Sequence, residues 1–187
     1  MKLKRTASKR VTRGQGLVEF ALVMPIFFML VAGIIDLGWM VYNYSQLYNG
    51  LREALRYGSV SGYSAIPQYQ QCDGIRTKLM TMAIHSGIRA DQITIVYDDG
   101  RPVDESETHK IAFCATNATN ITFYNNYIPI GAVSAQPRTQ IFTGDRIVIY
   151  ANVNIRFLTP VFGALFPNGL PIQIDASRTI YPGGLGL

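Results

Sequence analysis

One segment constrains this chain more than any other. From Leu17 to Tyr42 the sequence is almost wholly apolar, with carboxylates only at Glu19 and Asp36. Phe20 to Ile35 is an unbroken run of 16 uncharged residues. A membrane-spanning helix needs about 20 predominantly apolar residues, so 17–42 is long enough to cross. Glu19 lies near its start, where a charge at mid-helix costs about 2.5–3.5 kcal/mol on insertion scales. A chain that carries such a charge has a use for it.

The charge pattern fixes an expected orientation. Lys2, Lys4, Arg5, Lys9, Arg10 and Arg13 precede the apolar run with no acid among them. The remaining 11 basic residues face 12 acidic ones, so the net charge of +5 belongs to the leader and not to the body. A nucleic-acid partner calls for a basic face on the folded domain, which this distribution does not supply. A basic leader beside an apolar segment instead predicts an N-terminus held inside and the bulk of the chain outside. A secretory signal peptide has a shorter apolar core, about 7–15 residues, and a small-x-small cleavage site, and neither fits here.

Pro25 removes one helical hydrogen bond and permits a kink. Trp39, Tyr42 and Tyr44 fall where an outer aromatic belt belongs. Asp36, just below them, is expected to reach headgroups or water. Leu47, Leu51, Ala54 and Leu55 recur at helical spacing, which extends the helix to about residue 60, roughly 65 Å at 1.5 Å per residue. Its second half is amphipathic, so a domain can pack on it. Beyond a polar loop at 61–71, residues 73–86 read as a second helix with an apolar stripe of Ile75, Leu79, Met82 and Ala83, capped by Gly87.

The rest reads as strands. Ile93 to Tyr97 is a β-branched run closed by Asp98-Asp99-Gly100. Segments 111–115 and 121–124 are weaker candidates, and 125–139 reads as an irregular loop. Arg146 to Leu158 alternates with period 2 and has one apolar face, from Ile147 to Phe157. Ile172, Ile174 and Ala176 repeat the pattern. Thr159 to Pro171, between them, holds three prolines and is itself apolar. The expected fold class is α+β: a long N-terminal helix, half transmembrane and half amphipathic, packed with a second helix against an antiparallel sheet. Three parts follow: a leader at 1–14, the helix at 15–60 and an outer domain at 61–187.

Little in the chain points to catalysis. His85 and His109 are the two histidines. Glu107-x-His109 lacks metal-ligand spacing, and both histidines are expected at the surface. No nucleophile elbow, phosphate-binding glycine loop or Cys-x-x-Cys occurs. Asp98, Asp99, Asp104, Glu105 and Glu107 do not follow a calcium-loop spacing and read as a solvated turn. No catalytic residue, metal site or cofactor is therefore expected. Cys72 and Cys114 both follow the membrane segment. An even pair in an exported domain reads as a disulfide, and two free thiols would fit a reducing compartment. Asn43, Asn117 and Asn120 head Asn-x-Ser/Thr tripeptides, which matter only if the host glycosylates exported protein.

The run Gly14-Gln15-Gly16-Leu17-Val18-Glu19-Phe20, continued through Ala21-Leu22-Val23-Met24-Pro25, resembles the N-terminus of the TadE-like family, pilin-related proteins of the Tad (tight adherence, Flp-type) pilus and secretion system. The spacing is Gly, four residues, then Glu and an aromatic. Arg52-Glu53-Ala54-Leu55-Arg56-Tyr57-Gly58 continues the likeness, which is specific over about residues 13–60. The resemblance implies a pilin-like fold and cleavage between Gly14 and Gln15 by a prepilin peptidase. It implies that Glu19, followed by Phe20, pairs with the α-amino group of Gln15 on a neighbouring subunit and sets axial register; the other reading is a snorkelling carboxylate with no partner. The partners implied are the membrane, the peptidase, other Tad pilins and assembly-platform proteins. The function implied is that of a minor pilin or pseudopilin. A chain of a different class, an unprocessed single-pass adhesin or ligand-binding module of the envelope, would share the anchor but keep its leader.

Overall fold

A computed structural model describes residues 14–62, 65–101 and 108–181. The basic residues before Gly14, and Asp104, Glu105 and Glu107, lie outside the described residues. Helix α1 runs Gln15–Gly58 as one α-helix of 44 residues, about 66 Å long, with Pro25 inside it. It is long and apolar enough to cross a membrane. Its chemistry changes along its length. Phe20, Leu22, Ile26, Phe28 and Leu30 are all exposed, whereas Leu47, Leu51, Ala54 and Leu55 are buried. The apolar half thus presents its side chains outward, and the amphipathic half presents its stripe to the rest of the chain.

Helix α2, Cys72–Met82, packs on that second half, with Ile75 and Leu79 buried. It is shorter than the expected 73–86: the chain tightens into a 3₁₀ turn at Ile84–Ser86, and Gly87 takes a left-handed φ of +66° to end it. The two helices approach closely at Gly50, where a Cβ would lie 2.9 Å from the Leu79 carbonyl oxygen.

Five strands form one antiparallel sheet: β1 Ile93–Asp98, β2 Lys110–Cys114, β3 Thr122–Phe123, β4 Arg146–Ile155 and β5 Leu170–Thr179, ordered β3-β2-β1-β4-β5. Alternation in β4 works as period 2 demands: Ile147, Ile149, Ala151, Val153 and Ile155 are buried on the helix side. The opposite face is also partly covered, since Val148 stands beside Val96 in the β1–β4 pairing and both are buried. The strand β4 ends at Ile155, short of the expected Leu158, because the chain then turns toward α1. A short helix α3, Pro160–Leu165, occupies part of the apolar, three-proline loop expected at Thr159 to Pro171. Proline at its start needs no amide donor there and presets the helical φ.

From Leu47 onward the chain is therefore an α+β layer pair, with α1 and α2 on one face of the sheet. Its core is continuous from Leu47 on α1 through Ile75 and Leu79 to Ile95, Ile111, Ile149 and Ile180. Three polar ties cross that core. The sulfurs of Cys72 and Cys114 are bonded, joining the first residue of α2 to the last of β2. Arg76 is buried and donates to the carbonyl oxygens of Ala115 (2.7 Å), Cys114 (3.1 Å) and Ala118 (3.1 Å). Burial pulls its pKa down, against the opposing fields of Asp73 and Tyr97. Tyr97, also buried, donates its hydroxyl to the Tyr69 carbonyl at 2.6 Å. Burial pushes the Tyr97 phenol well above its ordinary value.

Two expectations about polar residues are corrected. His109 is not at the surface: it is 2% exposed, in the turn just before β2, where its carbonyl accepts from the Asp99 amide at 3.3 Å. Asp98 and Asp99 are not a solvated turn. Asp98 accepts two hydrogen bonds from Arg146, at 2.9 and 3.0 Å, and Asp99 pairs with Arg101 and accepts from the Tyr127 hydroxyl. That bidentate bond raises the Arg146 pKa. The acids of the β1 turn therefore close the sheet's end as fixed ion pairs.

Candidate functional site: the anchor helix and its junction with the outer domain

The site begins at the N-terminal end of α1. Gly14 precedes the first helical residue, and its carbonyl accepts from the Val18 amide at 3.3 Å. Glu19 and Phe20 follow within the next turn and are both exposed. A glycine at the helix boundary, a carboxylate five residues on and an exposed aromatic thus share the first two turns of an outward-facing apolar helix.

Seventeen residues further along, Asp36 departs from its expected place at headgroups or water. It is 2% exposed. Its Oδ1 accepts from the backbone amides of Leu158 at 2.8 Å and Thr159 at 3.0 Å, and its Oδ2 accepts from the Thr159 hydroxyl. One carboxylate thereby satisfies two amides at the turn between β4 and α3, whose chain direction leaves them without a strand partner. Side-chain spacing on α1 gives no hint of this, because the partner lies 122 residues away. The one available signal is the charge itself, in a run that otherwise excludes charge. Just before Asp36, α1 also meets α3: a Cβ on Gly33 would lie 3.5 Å from the Phe162 ring.

Beyond Asp36, Trp39 stacks on Tyr42 with centroids 5.9 Å apart and packs against the core. It lines a cleft of about 560 Å³ between α1, the 3₁₀ turn at Ile84–Ser86 and the end of β4. Asn43 and His85 also line it, with Arg89 and Arg156. Its described lining carries neither carboxylate nor thiol, so acid–base work would rest on His85 alone. Asn43 is fully buried, donates to the Trp39 carbonyl at 2.8 Å, and keeps its Oδ1 without a protein partner. A buried asparagine is out of reach of a glycosylating enzyme in the folded protein. Among the described residues no cluster of three or more His, Cys, Asp or Glu side chains is placed to hold a metal.

The sequence-predicted residues are thus spread along one axis. Gly14, Gln15, Glu19 and Phe20 mark the start of α1, and the Cys72–Cys114 bond joins α2 to β2. The structure adds Asp36 between them. An outward-facing apolar helix, continued into a helix-on-sheet domain, defines an α+β protein built on one long helix that is apolar enough to cross a membrane. Residues 14–56, which hold both the glycine–glutamate start and the Asp36 junction, match the TadE-like protein family. No curated protein and no solved structure matches the chain. The TadE-like segment and the long apolar helix that carries it fit a Tad-type, pilin-like membrane protein.

Proposed function

We propose that this protein is a minor pilin or pseudopilin of a Tad-type pilus and secretion machine. The observation that carries the reading is the TadE-like match over residues 14–56, together with the exposed Gly14–Glu19–Phe20 start of a membrane-length helix. The six basic residues ahead of Gly14 hold the N-terminus on the cytoplasmic side and send the outer domain across. A prepilin peptidase cuts between Gly14 and Gln15 at that face. In an assembled bundle Glu19 meets the new α-amino group of a neighbour in a low-dielectric setting. There the attraction is strong and an unpaired charge is costly, so the pair sets the register of subunits. The sheet and α2 make no call on chemistry in this reading; they shape a surface carried by the anchor.

Intact mass of the protein extracted from membranes of its own host tests the reading. Loss of residues 1–14 is expected. A full-length chain in cells with an active prepilin peptidase would refute processing, and would favour the unprocessed envelope-anchored module instead.

A further inference from the structure

The segment after Arg156, between β4 and β5, is uncharged and rich in large apolar residues. From Phe157 to Ile174 it holds no charged residue. It also leaves large apolar side chains in the open. Leu158 is 58% exposed and Leu165 67%, with Val161 and Phe166 exposed beside them. The Phe157 ring packs against those of Phe162 and Phe166, at centroid distances of 6.0 and 5.3 Å, and ties the edge to the end of β4.

Its position gives the edge a meaning. The Asp36 bonds to Leu158 and Thr159 fix it against α1, and Phe162 lies over Gly33. If the hydrocarbon core starts at Leu17, its thickness of about 30 Å is used up near Asp36 at 1.5 Å per residue. Gly33, and Phe162 with it, then sit about 4–5 Å inside the outer boundary, the depth at which interfacial segments rest. On α1 the exposed Ile34, Ile35 and Leu37 continue the same apolar surface. Arg156, exposed just before the edge, is placed to meet phosphates while the residues after it enter the acyl region.

We propose that the Leu158–Phe166 edge, with α3 at its centre, is a second membrane contact that inserts into the outer leaflet beside α1. Its occupant is the acyl-chain region of the bilayer, because the edge is continuous with the lipid-facing surface of the anchor and lies at its depth. This rests on the reading of α1 as membrane-spanning, and the test separates the two.

The full chain, with its single tryptophan removed by Trp39→Phe, is reconstituted in phosphatidylcholine vesicles with plain or brominated acyl chains. Single tryptophans are placed at Leu165→Trp on the edge, Phe28→Trp on the anchor and Val133→Trp in a fully exposed distal loop. Phe166→Trp serves as a second edge probe, and formation of the Cys72–Cys114 bond confirms folding of each variant. The expected result is loss of emission in brominated lipid for positions 28 and 165, and none for 133. Quenching at 28 without quenching at 165 or 166 overturns the proposal while leaving the anchor intact. That holds whether the edge emission is water-like or blue-shifted by another protein chain. Absence of quenching at 28 refutes the spanning helix, and the edge contact falls with it.

Discussion

Asp36→Leu sets two physical effects against each other. A carboxylate near a hydrocarbon boundary is a cost to insertion, so removing it favours the membrane-inserted helix. In the folded protein the same carboxylate is the acceptor for two amides and a hydroxyl at the turn after β4. Leaving buried donors unsatisfied costs about 1–3 kcal/mol each. The gain from removing a charge near the hydrocarbon boundary offsets part of that loss. The net expectation is a destabilisation of about 3–5 kcal/mol from the orphaned donors. Asp36→Asn keeps an oxygen for the two amides and offers its own N–H to the Thr159 hydroxyl. It loses only the charge assistance, about 1–2 kcal/mol. Thermal unfolding in detergent micelles, followed by circular dichroism, ranks the three proteins. Hydrogen exchange at the Leu158 and Thr159 amides locates the effect, with exchange accelerated in the leucine variant. An Asp36→Leu protein at least as stable as wild type, with those amides still protected, would refute the latch and leave only the insertion term.

Other expectations follow from the same structure. Glu19→Ala should leave cleavage and insertion intact while abolishing co-purification with pilin partners; wild-type recovery of the complex would make Glu19 a snorkelling carboxylate. Replacing Cys72 and Cys114 together by alanine should lower stability by about 4 kcal/mol on the loop-entropy account for a closure of this length, read by denaturant midpoint with and without reductant. Burial alone would push the Asp99 pKa up, but the Arg101 hydrogen bonds and charge, with the Tyr127 hydroxyl, outweigh it and hold it below the usual value. Its contribution is therefore present above the unfolded carboxylate pKa, about 3.9, and fades as pH falls through the lower folded value. Asp99→Asn should be less stable than wild type at neutral pH, and the gap should close in acid; a gap independent of pH would contradict the ion-pair account.

Much of the scaffold was legible because it follows short-range rules. The stripe Leu47–Leu51–Ala54–Leu55 becomes the buried face of α1, and the alternation from Ile147 to Ile155 becomes the buried face of β4. Both are periodicities that any local window reveals. What escaped was decided by distant partners. Asp36 looks like an interfacial acid until Thr159 is brought to it. Asp98 looks like a turn residue until Arg146, 48 positions on, arrives from the neighbouring strand. His109 is buried in the turn that brings its carbonyl to the Asp99 amide, which its acidic neighbours in sequence conceal. The helix α3 carried a usable signal, Thr159-Pro160 ahead of an apolar run, but three prolines pointed more strongly to a loop. The glycine–glutamate start was legible through its resemblance to the TadE-like family, whose match covers residues 14–56.

The outer domain is fastened to α1 at two separated points. At one end the Tyr181 amide donates to the Ser59 carbonyl, just past the last helical residue, and at the other Asp36 holds the turn after β4. Between them the helix covers about 34 Å, and β4 with its extension runs back along the same length. A strut pinned at both ends does not swivel. Tilt or rotation imposed on the apolar half of α1 is then transmitted to the sheet without slack. Whatever the sheet presents is aimed by the packing of the helix below it, and a change of a few degrees there moves the distal loops as the far end of a lever.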